Sequence, residues 1–313
     1  MNFHNESRAA SGFPIRSFPI FILAIIGITA NITLLVAIAS FRRQQESYYT
    51  FVMNIVLSDL LASVMVLILT SFTFYKSTIN LSKLKIACKV FLTILLMSWF
   101  SSILSFTLVS IHRLELVYHP TDFRSKSLIA KYRSFFRIAT WIICAIVSIP
   151  FYFLATYDDK NWKQCDMYYP FGQIVNVTYC ITLFGIGYIT PTVVILTSYI
   201  RMAAKLLSHG RMRGNLFQSS DHTRKKLKKV TKFLAIATIF YIFFSLPVML
   251  EFTILSVTNQ TQASLATVGN PFAWVPPTIL AINFLTSVVN PILFLSFDKN
   301  VKSFFYRNNV NPK

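Results

Sequence analysis

Seven apolar runs, each close to the length needed to cross a bilayer, fill this chain and leave no room for a separate soluble domain. About 20 apolar residues, rising about 1.5 Å each, traverse a hydrocarbon core roughly 30 Å thick. The runs are Phe18–Ser40, Val52–Phe74, Val90–Ile111, Ile138–Leu154, Ile174–Ile200, Phe233–Val257 and Phe272–Phe294. The fourth is short, and residues after Leu154 are expected to lengthen it. The fold class that follows is all-α: one seven-transmembrane helix bundle over residues 18–297. A polar N-terminal segment, 1–17, precedes it, and a tail, 298–313, follows.

Composition agrees, since 54% of residues are hydrophobic and only 13% charged, too apolar for an ordinary soluble domain. A net charge of +19 would point to nucleic acid in a soluble protein, but its distribution excludes that reading. Of 30 Lys and Arg, 22 lie in or beside segments on one side: Arg42 and Arg43, Arg113 to Arg137, Arg201 to Lys232, and Lys299 to Lys313. The positive-inside rule then predicts a cytoplasmic C-terminus and an N-terminus outside. The third inner loop, roughly Met202–Lys232, ends in Arg224-Lys225-Lys226-Leu227-Lys228-Lys229. Such a run binds anionic membrane lipid or touches a cytoplasmic partner. In the tail, Val301, Phe304 and Phe305 form an apolar face and Lys299, Lys302 and Arg307 a basic one. That pattern predicts a short amphipathic helix on the inner surface.

Met1–Ser17 lacks the apolar core of a cleavable signal peptide. Asn5, Asn80, Asn176 and Asn259 each begin an N-glycosylation sequon on or near the outer side, with Asn5 and Asn259 the better placed. Asn31 also matches but lies inside the first span. Cys144 and Cys180 fall within spans and read as small buried residues. Cys88 opens the third span on the outer side and Cys165 follows the fourth. Both face an oxidising compartment, and a disulfide between them is expected.

Asp59 is the one carboxylate in mid-span, within a run otherwise free of charge. A charge at the bilayer centre costs roughly 2.5–3.5 kcal/mol even on lenient scales, so polar partners are expected inside the bundle. Each of the other spans carries its own polar or proline punctuation. The first has Gly27 and Asn31, the third His112-Arg113-Leu114 with Tyr118-His119-Pro120 after it, and the fourth Trp141 and Pro150. The fifth has Pro191 and Tyr199, the sixth Phe244-Ser245-Leu246-Pro247, and the seventh Ser287, Asn290-Pro291 and Phe294. A lone membrane proline is a tolerated kink, and a lone Asn is interhelical glue.

Taken together in order and spacing, the set resembles the rhodopsin-like (class A) G-protein-coupled receptors over nearly the whole chain. Arg113 stands 25 positions after Cys88, Pro120 seven after Arg113, and Tyr199 eight after Pro191. Asn290-Pro291-Ile292-Leu293-Phe294 is similar to the family's NPxxY motif. The resemblance implies a plasma-membrane receptor whose extracellular ligand makes the sixth helix swing outward and admit a heterotrimeric G protein. Arg113 would face that opening, with Tyr199, Pro247, Asn290 and Pro291 in the moving parts.

Three departures from the family pattern stand out. His112 replaces the acidic partner of the arginine, Leu114 an aromatic, and Leu227 a glutamate that some relatives use to hold the arginine. Loss of these restraints predicts raised basal activity, or activity sensitive to pH through His112. Phe294 replaces the tyrosine of NPxxY, removing a hydroxyl that could reach Tyr199 through water. Ser245 occupies the usual tryptophan position, which transfers the toggle role to Tyr241 or Trp99.

The resemblance also bounds the ligand. Leu95 stands where amine receptors carry an aspartate, and Phe284 where opsins carry a lysine, which disfavours an amine and excludes retinal. Family positions facing the outer cavity are Leu95, Leu96, Trp99, Leu183, Phe184, Val248, Met249, Phe252, Leu280 and Phe284. Such an apolar lining favours a hydrophobic small molecule or a peptide's apolar side chains. Glu251 is the one acidic candidate, either a ligand contact or a solvated charge at the helix end. For Asp59, the resemblance implies Ser102 and Asn290 as partners, with Asn31 nearby, and a possible sodium ion. Ser287 is retained there, but Thr286 stands where many relatives have asparagine. Arrestin would use the third inner loop around Ser208, Ser219, Ser220 and Thr223, because the tail offers only Ser296 and Ser303. The rival classes fare worse. A channel needs a continuous polar path and a transporter an internal repeat, and a membrane enzyme needs clustered His, Asp or Cys within its spans.

Overall fold

The computed structural model describes residues 3–40, 49–75, 80–119, 127–158, 164–167, 170–211, 218–265 and 271–297. Seven helices in this set are long and apolar enough to cross a membrane. They are α1 (Phe3–Ser40), α2 (Tyr49–Tyr75), α3 (Leu81–Tyr118), α4 (Arg133–Leu154), α5, α6 (Gln218–Thr258) and α7 (Val275–Phe297). The fifth, α5, is composite: α-helix over Gln173–Thr182, a π-helical segment Leu183–Ile189, and α-helix again over Thr190–Arg211. The protein is thus a seven-span membrane bundle. Residues 298–313, where an amphipathic surface helix is expected, lie outside the described residues.

Burial sorts the helices. Across its best span α3 is 61% buried, whereas α4 and α5 are 28% buried, so α3 is the central pillar and the other two face lipid. Ile138, Ile142, Ile146 and Ile149 show how α4 does this. They recur every three or four residues and are each more than half exposed. In water such a stripe would be a liability, but in hydrocarbon it is the favoured surface. Close helix contact relies on small residues. A Cβ on Gly27 of α1 would sit 2.6 Å from Ser63 Oγ of α2, and one on Gly187 of α5 would sit 2.4 Å from the Phe100 ring of α3.

Several boundaries differ from expectation. The fourth span grows at its start, to Arg133, and not beyond Leu154. Ala155 already belongs to β1 (Ala155–Asp158), which pairs antiparallel with β2 (Gln164–Met167). This hairpin has no membrane-length apolar run to announce it. The segment read as a long third inner loop is mostly helix, because α5 continues to Arg211 and α6 begins at Gln218. Ser208, Ser219, Ser220 and Thr223 fall on these extensions. Residues 3–17 continue α1, where a polar tail was expected; Asn5 lies in that extension.

Tyr157 of β1 sits opposite Cys165 of β2, and Cys165 forms the expected disulfide with Cys88 of α3 at a Cα–Cα distance of 5.4 Å. The covalent tie closes the hairpin over one end of α3, where Leu84, Cys88 and Tyr157 form a small buried cluster. Cys144 and Cys180 are buried free thiols.

Candidate functional site

Asp59 finds its partners in neighbouring helices. Ser102 Oγ of α3 donates to Asp59 Oδ1 at 3.2 Å, Ser287 Oγ of α7 donates to the same oxygen at 3.4 Å, and Asn290 Nδ2 donates to Oδ2 at 2.9 Å. The carboxylate is 2% exposed. Asn31 joins from α1, its Nδ2 donating to Ser287 O at 2.9 Å and to Gly27 O at 2.8 Å. Four helices therefore meet on one polar knot. Beside it lies an internal cavity of about 40 Å³, lined by Asp59, Ser98, Trp99, Ser102, Tyr241 and Ser287 among others. The donor set suits a small hard cation, since carboxylate and hydroxyl oxygens line one space. Asn290 directs its amide nitrogen at Asp59 and leaves its Oδ1 buried without a hydrogen-bond partner beside the knot.

At the other end of α3, Arg113 is among the largest fully buried side chains. His112 beside it is 2% exposed and meets the edge of Phe51 with ring centroids 6.2 Å apart. Tyr199 Oη lies 3.2 Å from Thr238 Oγ1 of α6. Phe294 packs edge-on against Phe233 at 5.1 Å. Pro247 and Pro291 interrupt α6 and α7. Ser127, which caps a short helix Leu128–Lys131, donates to Glu115 near the end of α3.

Four of the residues assigned to the ligand pocket share the cavity described above. Leu95, Trp99, Leu280 and Phe284 line the cavity above Asp59. Leu96, Leu183, Val248 and Met249 are packed into the main core, as Trp99 is too, with Phe184 and Phe252 against its edge. Phe252 tilts against Phe151. Glu251 is 7% exposed and is no solvated helix end. Its Oε1 accepts from Gln262 Nε2 at 3.1 Å, while Oε2 is buried with no hydrogen-bond partner. The backbone N–H of Gln262 donates to Asp166 Oδ1 at 3.1 Å, and that of Met167 to the same oxygen at 2.7 Å. The disulfide hairpin, α6 and the segment after it thus share a second buried acidic cluster.

Among the sequons, Asn80 is exposed and caps α3, its Oδ1 accepting from the Ser82 N–H, and Asn259 is exposed at φ 53°. Asn176 is different: it is 1% exposed and its Nδ2 donates to Gly172 O at 2.8 Å. Burial leaves a glycan no room there, which removes Asn176 from the accessible set.

Sequence reasoning missed three groups. Asn54 of α2 accepts from Trp141 Nε1 at 3.4 Å and donates to Arg137 O at 3.3 Å, tying α2 to α4. Asp166 and Gln262 carry no local pattern that announces burial. Tyr188 had a faint signal, a Gly185-x-Gly187 pair just before Pro191 that marks an irregular turn.

The polar side chains of this knot hold helices to one another. The family model described as 7 transmembrane receptor (rhodopsin family) matches residues 30–294, and the chain belongs to that family. Somatostatin receptor type 2 of Mus musculus is 23% identical over 292 residues, covering 92% of this chain and 75% of that protein. Its Sus scrofa counterpart is 24% identical with the same coverage.

Proposed function

We propose that this G-protein-coupled receptor converts binding of an extracellular ligand at its disulfide end into nucleotide exchange on a heterotrimeric G protein at its Arg113 end. In this reading the chain sits in the plasma membrane with the N-terminus outside and the C-terminus in the cytoplasm. The ligand is a peptide or a hydrophobic small molecule, because apolar side chains line the cavity above Asp59. Glu251 supports a ligand that also carries a hydrogen-bond donor, for its free oxygen gains a partner only from outside the described fold. The name of the somatostatin receptor relatives lends weight to a peptide. The observation that carries the coupling reading is Arg113: a permanent cation held buried at the end of the central helix, beside the helix that must move.

A panel of G-protein biosensors, read with and without Arg113→Ala, tests this. Ligand-free or ligand-driven exchange that Arg113→Ala abolishes is the expected result. No exchange with any subtype would favour the second reading, a receptor fold that couples weakly. With His112, Leu114 and Leu227 in place of the usual restraints, basal exchange should exceed that of mock-transfected cells and fall in His112→Asp. The same assay at pH 6 and pH 7.4 tests dependence on His112. Arrestin recruitment should survive removal of Ser296 and Ser303 if the α5 and α6 extensions carry its phosphosites. Sodium at the Asp59 knot would favour the inactive arrangement.

A further inference from the structure

We infer that the hairpin end of α6 holds a site for a guanidinium group of the ligand. Glu251 is its direct partner, Gln262 the neutral side chain it displaces, and Asp166 a second negative charge behind it. The inference rests on the receptor reading above and names the chemistry of the group that a ligand brings to Glu251.

The chain builds this site by turning back on itself. Helix α6 ends at Thr258, and Asn259 adopts a left-handed conformation at φ 53°, a common way to stop a helix. The Gln260 N–H donates to Leu255 O at 2.9 Å, and the reversed chain enters the one-turn helix Gln262–Leu265. Gln262 is thereby laid over Glu251. Its Nε2 donates to Glu251 Oε1 at 3.1 Å and its backbone N–H to Asp166 Oδ1 at 3.1 Å, so two buried carboxylates share one neutral residue. Gln262 is half-buried, whereas Glu251 is 7% exposed, which puts the glutamine between that carboxylate and the surface.

The unmet atom is Glu251 Oε2, which is buried without a hydrogen-bond partner, and no described Lys or Arg pairs with this side chain. As a carboxylate it lacks a donor, and as a neutral acid it lacks an acceptor, so neither protonation state is satisfied. A buried carboxylate held on one oxygen by an amide, with a second carboxylate beside it, is poorly compensated. A guanidinium corrects this, because its planar fork offers two parallel N–H groups that match both oxygens of one carboxylate. One N–H replaces Gln262 Nε2 at Oε1, and the other fills Oε2. Asp166 keeps the backbone N–H groups of Gln262 and Met167 and attracts the cation through space. An ammonium lacks that fork and satisfies the pair of oxygens less well.

Hexylguanidinium and its neutral isostere hexylurea are the probes, titrated against purified full-length receptor without G protein. Binding is read as later exposure of the buried Cys144 and Cys180 thiols to a thiol-reactive dye on heating. Hydrogen bonds to charged groups shift an equilibrium roughly 10- to 150-fold. Hexylguanidinium should bind that much more tightly than hexylurea, and Glu251→Gln should erase the difference. Gln262→Ala removes the competing side-chain donor and keeps the backbone N–H on Asp166. It should tighten hexylguanidinium binding roughly two- to twelve-fold, the shift that one ordinary hydrogen bond produces. Should Glu251→Gln fail to accumulate, Gln262→Ala alone decides. Equal binding of the two probes, no stabilisation by either, or weaker hexylguanidinium binding in Gln262→Ala overturns the site. So does affinity that is lost in Asp59→Asn and kept in Glu251→Gln. No G protein takes part in this measurement, so a failed biosensor panel overturns the coupling reading and leaves the guanidinium site standing.

Discussion

Asp59 and Glu251 are both carboxylates buried inside membrane spans, yet their surroundings are opposite in kind. Asp59 has both oxygens occupied by donors on α3 and α7. Glu251 has one oxygen on Gln262, beyond the end of α6, and one on nothing, with Asp166 held by the same glutamine. At the first site both carboxylate oxygens are satisfied within the bundle, and the unpartnered oxygens are the amide Oδ1 atoms of Asn31 and Asn290 beside it. The second leaves a carboxylate oxygen itself unpartnered and borders segments that lie outside the membrane-spanning helices. A carboxylate held on both oxygens acts as a hinge pin, whereas one with a free oxygen is where an incoming donor can add binding energy.

The sharpest way to break this contrast is Asp59→Leu. It strands the Asn290 amide and the Ser102 and Ser287 hydroxyls, each a buried group costing about 1–3 kcal/mol when unsatisfied. A loss of roughly 3 kcal/mol or more is expected, read as earlier exposure of the buried Cys144 and Cys180 thiols to a thiol-reactive dye on heating. Asp59→Asn keeps an acceptor and should stay within about 1 kcal/mol of the parent. Equal losses in the two variants would mean that the partners do not depend on Asp59.

Next in size is removal of the disulfide by Cys88→Ser with Cys165→Ser, expected to cost about 2–4 kcal/mol. Its effect should be local. Amide exchange should quicken at β1, β2 and Gln262, because the hairpin that presents Asp166 is no longer tied to α3. Exchange around Asn290 should stay slow. Quickening at both ends would show that the two acidic sites form one cooperative unit. Smaller again is Glu251→Gln, which removes a buried charge with a free oxygen. Stability should change by no more than about 1 kcal/mol, and a fall like that of Asp59→Leu would sink the view of Glu251 as an unfilled site.

The two sites were not equally legible in sequence. Asp59 stood out because a charge is rare in a membrane-length run, and its partners lie on helices whose register the resemblance supplies. The Cys88–Cys165 pair was readable for a similar reason, as both cysteines fall at span ends on one side. Glu251 was ambiguous because its burial is decided by Gln262 and Asp166, residues outside the spans that sit in a one-turn helix and in a hairpin of four-residue strands. Tyr188 escaped notice because a π-helical turn rotates a side chain by an amount that periodicity does not encode. The extensions of α5 and α6 read as loop because hydropathy marks where a helix leaves the membrane and not where it ends.

The last effect concerns the ion and is comparable in size to that of Glu251→Gln. If sodium fits the space lined by Asp59, Ser98, Ser102 and Ser287, it binds the folded bundle alone and stabilises it by mass action. At ten times its dissociation constant the gain is about 1.4 kcal/mol, read as a rise in unfolding temperature when sodium chloride replaces choline chloride. Asp59→Asn should abolish the rise because it removes the only carboxylate at that site. Glu251→Gln should leave it intact, since its pair with Gln262 lies near the disulfide hairpin, and neither residue lines the cavity. A rise that survives Asp59→Asn but disappears in Glu251→Gln would reverse the assignment, making the site near the hairpin the cation site and the Asp59 knot a purely structural pin.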